Sequence, residues 1–360
     1  MGEPSSDEIR HRLLAWYRAS RRDLPWRRTQ DPYKVLVAEY LLQRTRIASG
    51  QPYYERFVSR FPTVGDLAAA SLDDVLAVWE GLGFYRRAKH LHAAARTMVE
   101  RHGGRVPSSY AELVALPGIG PYTAGAVASI AFGLSVPAVD GNVTRVIARL
   151  FRRREDVTSP AMRREVARLA ARLVSPEDPG AFNQAMMELG ATICTPKSPA
   201  CDRCPLETLC LARAAGEERG IPVASRRRPN RTVHVAFALV ESQGRVLLNR
   251  REEGGLLGGL WALPGGEVPS SRSSRKVLRK IVKEQTGIEV TVGPAWAPVE
   301  RTFSHRRWSG TIFRCSPPRR SPPRGQVRWL PVRDALKLPL VPFHREALAS
   351  LAGLESFDRR

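Results

Sequence analysis

LPGIGPYTAGAVASIAFG, residues 116–133, is the stretch of this chain that best indicates its fold. Gly118 and Gly120 predict a tight turn, and Pro121 suits the first turn of the helix that follows. The free backbone N–H groups at such a helix start attract an anion. The stretch therefore predicts a hairpin that grips a DNA backbone without reading its sequence, although a plain helix-to-helix turn has a similar composition.

The same stretch lies within 27 consecutive residues, 113–139, that carry no charged side chain. That length is sufficient to span a bilayer, but Pro117, Pro121 and Pro137 interrupt it. We therefore expect a loop followed by a buried helix, and no membrane partner. The N-terminus is polar and charged and carries no secretory signal, so we expect a cytoplasmic, nucleoid-associated protein.

Helical patterns extend on both sides of this stretch and cover most of residues 1–212. Apolar positions recur at the spacing of one helix face. After a first helix that Asp7 can cap, they predict helices over 34–47, 51–59, 73–80, 86–101, 110–115, 122–132, 143–151, 161–174 and 180–193. We therefore expect a mostly α domain over residues 1–212.

The pattern then changes. Residues 213–231 lack a periodic apolar face and are predicted to form an exposed linker, with a basic run at 226–228 that is either solvated or in contact with a phosphate. Beyond it, β-branched alternating segments joined by a turn at 242–244 predict strands, and a helix is expected at about 271–286. Residues 232–350 are therefore predicted to be a separate α+β domain.

Composition and charge indicate the kind of partner. The chain has 360 residues, enough for two domains, and its 43% hydrophobic and 26% charged residues exclude a disordered or fibrous protein. Lys and Arg number 57 against 35 Asp and Glu, a net charge of +22. This surplus favours a nucleic-acid partner, with an arginine-rich proteome as the alternative explanation. The Pro/Arg-rich segment 316–325 is expected to be disordered or to follow a phosphate backbone.

Four of the five cysteines form a cluster. Cys194, Cys201, Cys204 and Cys210 have the spacing C-x6-C-x2-C-x5-C, and prolines turn the chain between them. Four thiolates within so short a segment can hold one tetrahedral zinc ion or one [4Fe–4S] cluster, and the spacing alone does not choose between them. Cys315 lies far away in the sequence and is expected to be a buried or idle thiol.

Two carboxylates lie in apolar surroundings. On its predicted helix Glu39 has no basic partner one turn away, so either its pKa is raised, which suits a general acid, or the helix turns it to water. Asp140 precedes Gly141 and Asn142, so it is a helix cap or a second carboxylate that stays ionised beside a developing cation. Two carboxylates in different environments can divide the acid and electrostatic roles of glycosidic cleavage.

These pieces together resemble the helix-hairpin-helix DNA glycosylases, and among them the MutY-type adenine glycosylases. The matching segments occur in the family's order and read LPWR, DPYKVLVAEYLLQRT, WEGLGFYRRAKHLHAAA, LPGIGPYTAGAVASIAFG, PAVDGNVTRV, FNQAMMELGATIC and the four cysteines. The resemblance implies a bilobal catalytic domain with DNA between the lobes. A six-helix lobe would cover about 30–135, and an iron–sulfur lobe 1–29 with 136–212. The cysteine spacing is the family's [4Fe–4S] pattern, so the resemblance favours that cofactor over zinc.

The resemblance also implies catalytic roles. Glu39 would protonate N7 of adenine, Asp140 would stabilise the oxocarbenium sugar, and Asn142 would orient Asp140. Tyr122 stands where the related endonuclease III enzymes carry a lysine nucleophile, which implies a monofunctional glycosylase. The residues implied to contact DNA are Arg27 and Gln184 around the extruded adenine, Gln43, Arg44, Thr45 and Phe84 beside the opposite base, and Gly118 and Gly120 on the backbone.

The C-terminal domain resembles the Nudix-related module with which this family examines the base opposite adenine. A Nudix hydrolase holds Mg²⁺ with a run of glutamates on its helix, but residues 275–287 read RKVLRKIVKEQTG, and only Glu284 of the expected closing acidic pair is present. Pyrophosphate hydrolysis is therefore not expected. Phe303, Ser304 and His305 match the loop that the family uses to contact 8-oxoguanine.

The sequence thus predicts a monomeric adenine DNA glycosylase that acts on duplex DNA with adenine opposite 8-oxoguanine or guanine. Three departures from the family matter. The family usually has glutamine at the position of Arg44 and tyrosine at the position of Phe84, and a more apolar run is common where two arginines follow Ser304 and His305. A thymine glycosylase acting on T·G mismatches is the nearest alternative. A mismatch-binding protein without catalysis is the alternative from another class, and the presence of both Glu39 and Asp140 argues against it.

Overall fold

The computed structural model describes residues 3–224, 231–269, 274–303, 306–317 and 325–354. The chain divides into two units, the first made of Met1–Ala70 and Arg86–Arg226, the second of Ser71–Tyr85 and Arg227–Arg360. The basic run at 226–228, most of the Pro/Arg-rich segment, and the predicted base-contacting residues Ser304 and His305 lie outside the described residues.

Helices form almost all of the described secondary structure before residue 215, as the periodicity predicts. In chain order they are α1 (Ser6–Ser20), α2 (Pro32–Leu42), α3 (Ile47–Arg60), α4 (Val64–Ala69), α5 (Leu72–Trp79, in the second unit), α6 (Arg86–His102), α7 (Tyr110–Ala115), α8 (Pro121–Phe132), α9 (Gly141–Leu150), α10 (Pro160–Leu173), α11 (Pro179–Thr192) and α12 (Leu211–Ala214), with 3-10 turns at Pro25–Arg27, Cys201–Arg203 and Glu207–Leu209. The seven predicted helices from 73–80 to 180–193 are confirmed to within two residues at each end.

Capping side chains set several of these helix starts. Asp31 caps α2 by accepting hydrogen bonds from the N–H groups of Tyr33 and Lys34. Asp140, Ser159 and Asp178 cap α9, α10 and α11 in the same manner. Such caps satisfy N–H groups that have no partner inside the helix. They therefore fix where the helices that carry the candidate site begin.

The terminal helix α1 packs with α9, α10, α11 and the cysteine loop around one core. Its buried members include Ile9, Leu13, Val146, Leu169, Phe182 and Leu206. The uncharged stretch forms the predicted loop and the buried helix α8. Among the described residues, no helix is long and apolar enough to cross a membrane.

The prediction of one helix over 34–47 is wrong. Helix α2 ends at Leu42, and α3 begins at Ile47 rather than at residue 51. The Nη1 atom of the buried Arg87 donates to the carbonyl oxygens of Leu41 and Gln43 at 2.9 and 2.5 Å, so these carbonyls are bound from outside the helix. Arg44 then turns the chain with a φ of +58°. This capping from α6 is invisible in the local sequence.

The prediction that 213–231 is an exposed linker is wrong for its first half. Ile221 is only 3% exposed and packs against Ala148 of α9. Arg149 donates from Nε to the carbonyl oxygen of Ile221 at 2.7 Å, and Glu217 forms a 2.6 Å ion pair with Arg152. Tertiary partners on α9 and beyond its end therefore hold a segment that has no apolar periodicity of its own.

The second unit contains the predicted α+β domain. Its elements are β1 (Arg231–Ser242), β2 (Arg245–Arg250), β3 (Trp261–Ala262), β4 (Gly265–Glu267), α13 (Ser274–Thr286), β5 (Thr291–Thr302), β6 (Arg306–Ser316), β7 (Val327–Pro331), α14 (Val332–Ala335) and α15 (Pro342–Leu351). The strands form a mixed sheet in the order β3-β2-β1-β6-β5, with β4 on β1 and β7 on β2. Only the β1–β6 pairing is parallel among the described strands.

Local chemistry explains the main features of this sheet. The predicted turn between β1 and β2 is confirmed, with Gln243 and Gly244 both at positive φ, as a tight hairpin requires. Helix α13 covers one face of the sheet, where Leu278 and Val282 pack against Ala238 and Leu247. Helix α5 is fastened to the same unit by a 2.6 Å ion pair between Asp73 and Arg250.

Candidate active site

The first unit brings the two predicted carboxylates into electrostatic contact. Glu39 lies on α2 and is only 8% exposed, so the alternative that it faces water is wrong. Its Oε2 accepts a 2.6 Å hydrogen bond from the Tyr122 hydroxyl of α8. Burial raises the pKa of Glu39 to about 7, and the neighbouring charge of Asp140 acts in the same direction. Glu39 can therefore hold a proton near neutral pH, as a general acid must.

Asp140 caps α9, which is one of the two roles considered for it. As the cap of α9 it accepts a 2.7 Å hydrogen bond from the N–H of Val143, and its Oδ2 accepts a 2.9 Å bond from the Asn142 side chain. Burial raises the pKa of Asp140, while these N–H donors lower it. Glu39 receives a single bond from a neutral phenol, so the donors at Asp140 favour ionisation more strongly there.

Tyr122 is hydrogen-bonded to Glu39 and lies within electrostatic range of Asp140, and its phenol cannot act as an amine nucleophile. Its pKa is raised well above the ordinary value by burial and by the charges of Glu39 and Asp140. The phenol therefore stays protonated and donates a hydrogen bond to Glu39. The sulfur of Met187 on α11 lies 3.3 Å from the same hydroxyl. This arrangement orients the Glu39 carboxyl from one side.

Arg145, which the sequence analysis missed, fixes the orientation of Asn142. Its Nη2 donates to Oδ1 of Asn142 and to the carbonyl oxygen of Gly190, both at 2.8 Å. The amide nitrogen of Asn142 is thereby left to face Asp140. Gly190 permits this packing, because a Cβ at that position would lie 2.6 Å from the Cβ of Asn142. The only sign of this role in the sequence was the position of Arg145 in the motif NVTRV, three residues after Asn142.

The predicted pocket residues Arg27 and Gln184 belong to one polar group. The Tyr17 hydroxyl donates to Oε1 of Gln184 at 3.2 Å, and the Arg27 guanidinium lies 5.4 Å from the centre of the Tyr17 ring. Arg27 also forms a 2.7 Å ion pair with Glu188, which the sequence analysis missed. An acidic residue at a buried face of the FNQAMMELG helix was its only signal.

Of the residues predicted to lie beside the opposite base, Gln43, Arg44 and Thr45 belong to the first unit and Phe84 belongs to the second. Nε2 of Gln43 donates to Oγ1 of Thr123 at 3.1 Å, and Thr45 Oγ1 accepts from Arg87 at 3.3 Å, so the turn that carries Arg44 is tied to α8 and α6. In the second unit Phe84 is 47% exposed at a positive φ.

The predicted backbone-binding hairpin is present between α7 and α8. Gly118 has a φ of +73°, and a Cβ there would lie 2.4 Å from the His90 side chain, so both the conformation and the space require glycine. Gly120 caps α8, and nothing lies within 4 Å of the point where its Cβ would be. The Tyr40 hydroxyl donates to the carbonyl oxygen of Pro117 at 2.9 Å and ties the hairpin to α2.

The four clustered cysteines lie in a loop next to α9. Burial raises the pKa of Cys204 to about 12, and the other three cysteines act in the same direction, so the four sulfurs lie within electrostatic range of one another. Nη1 of Arg149 donates to Sγ of Cys194 at 3.2 Å. Among the described residues no three His, Cys, Asp or Glu side chains form a ready-made site for a single metal ion. A four-sulfur set beside a buried cation fits the negative charge of an iron–sulfur cluster.

Helix α13 of the second unit carries one acidic residue, Glu284. Glu284 is exposed and lies 3.7 Å from Lys280 in an ion pair. The side-chain amide of Gln285 accepts from the N–H of Gly265 at 2.9 Å and donates to its carbonyl oxygen at 3.1 Å, so it serves a structural purpose. Phe303 packs against Trp308 with ring centres 5.0 Å apart, at the edge of the loop predicted to read the opposite base.

A helical unit with a hairpin, a buried acid and a cysteine loop is typical of DNA base excision proteins. Two family models match segments of this unit, and a third matches the C-terminal domain. Residues 37–172 match the HhH-GPD superfamily of base excision DNA repair proteins. Residues 194–210 match the iron–sulfur binding domain of endonuclease III, and residues 235–350 match the NUDIX domain. The class is therefore an HhH-GPD DNA repair protein with a [4Fe–4S] cofactor and a C-terminal Nudix-like domain.

Curated relatives narrow this class to one family. The chain is 36% identical to the adenine DNA glycosylases of Homo sapiens and Rattus norvegicus, over 85% of its own length and 66% and 70% of theirs. It is 45% identical to the adenine DNA glycosylase of Mycobacterium tuberculosis, over 59% of this chain and 72% of that protein. The chain belongs to the adenine DNA glycosylase family. It spans just under two thirds of the length of the human relative.

Two solved structures share the helical fold. A thermostable thymine-DNA glycosylase aligns with a TM-score of 0.53 at 30% identity, over 58% of this chain and 97% of that chain. A trapped endonuclease III–DNA covalent intermediate aligns with a TM-score of 0.50 at 27% identity, over 59% and 98%. This chain thus shares its helical fold with a thymine-DNA glycosylase and with endonuclease III.

Proposed function

We propose that this chain hydrolyses the N-glycosidic bond of adenine paired with 8-oxoguanine or guanine in duplex DNA. The observation that carries the proposal is the buried carboxyl of Glu39, which the Tyr122 hydroxyl orients and which lies within electrostatic range of Asp140. Membership of the adenine DNA glycosylase family supports the choice of base.

The geometry supports a division of labour between the carboxylates. Glu39 gives its proton to N7 of adenine, so that the bond between C1′ and N9 breaks and the base leaves neutral. The ionised Asp140 stabilises the positive charge that develops on the sugar, and Asn142 keeps it in place. A water molecule adds to C1′, and its proton returns to Glu39. Tyr122 offers no amine, so the enzyme releases the base without a lysine-dependent strand break.

The remaining residues would bind DNA. Arg27 and Gln184 would line the pocket of the extruded adenine, and the hairpin at Gly118 and Gly120 would bind a backbone phosphate through free N–H groups. The residues proposed to lie beside the opposite base are Gln43, Arg44, Thr45 and Phe84, together with Phe303, Ser304 and His305 of the C-terminal domain.

The proposal is tested by single-turnover base release from duplexes that carry adenine opposite 8-oxoguanine, A·G, A·C and T·G. The product is detected as alkali-dependent strand cleavage. We expect the fastest release for adenine opposite 8-oxoguanine, and no cleavage without alkali. Release of thymine alone would refute adenine as the substrate.

Thymine removal from T·G is the second candidate function. The likeness to a thymine-DNA glycosylase structure and the arginine at position 44 favour it. In the same assay it requires T·G to be the fastest substrate. Arg44→Gln would then be expected to shift the preference towards adenine.

We also propose that the four cysteines of the loop ligate the [4Fe–4S] cluster, whose role there is structural or in DNA sensing. Cys204→Ser is expected to remove the visible absorption of the cluster and to weaken DNA binding, because a structural cofactor contributes directly to folding. The matched control is Cys315→Ser, which changes a buried thiol outside the loop and should retain the cluster. A colourless but fully active Cys204→Ser protein would contradict this assignment.

The proposed enzyme works as a monomer on nucleoid DNA in the cytoplasm. The net charge of +22 supports binding to a polyanion. Size-exclusion chromatography should give the mass of one chain, and DNA affinity should fall steeply with salt concentration.

A further inference from the structure

Glu188 on α11 is a buried carboxylate that forms ion pairs with two arginines, Arg22 and Arg27. It is only 2% exposed. Arg22 already binds both of its oxygens, from Nε at 2.6 Å and from Nη2 at 2.7 Å. A bidentate guanidinium is sufficient to compensate one carboxylate. The further 2.7 Å bond from Arg27 Nη2 to Oε2 therefore restrains Arg27 rather than satisfying Glu188.

Arg27 is the partner with a consequence for the reaction. Its side chain is 9% exposed, and its 3-10 turn, Pro25–Arg27, packs against α2, the helix that carries Glu39. Its charge acts on Glu39 in the direction that favours the ionised carboxylate. The other groups that act on Glu39 are the Tyr122 hydroxyl and the Asp140 carboxylate. If Arg27 were released from Glu188, it could pair with Glu39, the carboxylate on which its charge already acts.

We propose that Glu188 is a positioning residue that holds Arg27 in an ion pair and so prevents Arg27 from pairing with the carboxyl of Glu39. This inference rests on the proposed function, in which Glu39 is the general acid. A direct Arg27–Glu39 pair would stabilise the carboxylate and withdraw the proton that adenine requires. The ion pair with Glu188 thus keeps the guanidinium of Arg27, which would line the adenine pocket, apart from the carboxyl of Glu39.

The test is the pH profile of single-turnover adenine release, which falls as pH rises through the titration of Glu39. In Glu188→Gln the midpoint of this fall should move down by about one pH unit or more, so that release at pH 8 slows about tenfold. Arg27→Gln should move the midpoint up, and the double variant should not show the downward shift. Glu217→Gln, which also removes a glutamate between two arginines, is the matched control and should leave the midpoint unchanged.

The outcomes separate the inference from the proposed function. An unchanged midpoint in a folded Glu188→Gln protein that retains its cluster, or an equal shift in Glu217→Gln, would overturn the inference. An unchanged midpoint in Arg27→Gln would overturn it even if the Glu188 variant failed to fold. Absence of base release from every duplex would instead refute the proposed function. In that case ¹³C-carboxyl NMR of labelled glutamate, with Glu39→Gln for assignment, still measures whether Glu188→Gln lowers the titration midpoint of Glu39.

Discussion

Glu39→Gln is expected to abolish base release while raising the free energy of unfolding at neutral pH. The loss of the proton donor should slow release by about 10²–10⁴-fold or more. The gain in stability arises because burial raises the pKa of Glu39 from 4.5 to about 7. The folded protein then binds a proton more tightly than the unfolded chain, so the stabilising effect of the protonated group is complete below pH 4.5 and is lost as pH rises through about 7.

Glutamine can still accept the hydrogen bond from Tyr122 but does not ionise. The free energy of unfolding of the variant should therefore exceed that of the wild type by about 3 kcal/mol above pH 7, and this difference should shrink towards pH 4.5. Urea unfolding of both proteins across this range measures it. A stability difference that does not vary with pH would contradict the assigned titration.

The same variant separates an enzyme from a mismatch-binding protein. If Glu39 is the general acid, Glu39→Gln should bind the substrate duplex as tightly as the wild type and fail only in the chemical step. Gel-shift affinity and base release measured on one duplex provide the comparison. Wild-type rates in Glu39→Gln would mean that the base leaves by another route.

The second large effect is expected at Asp140, where two roles can be separated by two substitutions. Asparagine caps a helix as well as aspartate, so Asp140→Asn should keep α9 in place. It removes the negative charge that stabilises the developing cation, and release should fall by at least about 10²-fold. Single-turnover release and thermal unfolding of the variant measure the two roles independently.

Asp140→Ala is the matched control, because it removes both the charge and the cap. It should lose the same activity and, in addition, about 1 kcal/mol of stability from the bond to the Val143 N–H. Equal stability of the two variants would show that the cap contributes little. Retained activity in Asp140→Asn would exclude the proposed electrostatic role.

Local sequence was sufficient for most helix positions and for the hairpin. The apolar spacing and the capping residues are short-range properties, and both are found in the folded chain at α9 to α11. The short helix α4, Val64–Ala69, was missed. Its start nevertheless follows a capping box formed by Thr63 and Asp66, which was a readable signal.

The residues that set the geometry of the site were harder to find. Arg87, Arg145, Arg149 and Glu188 are charged side chains that the fold buries, and each binds groups distant in sequence. A charged residue in a helical pattern is most simply read as solvent-exposed. Only the packing of α6, α9 and α11 shows that these residues bind backbone carbonyls and carboxylates inside the protein.

By itself, the sequence determined which residues could do chemistry and where most helices begin, because residue type, apolar period and capping are encoded locally. The sequence left open whether Glu39 faced water. It also predicted that α2 continues through Arg44 to residue 47, whereas the helix ends at Leu42. Tertiary structure decided both points. The pKa of Glu39 depends on the groups that α8, α9 and the turn at Arg27 bring around it, and the end of α2 depends on the guanidinium of Arg87. These are long-range contacts, and no local pattern specifies the dielectric or the partners that a side chain meets after folding.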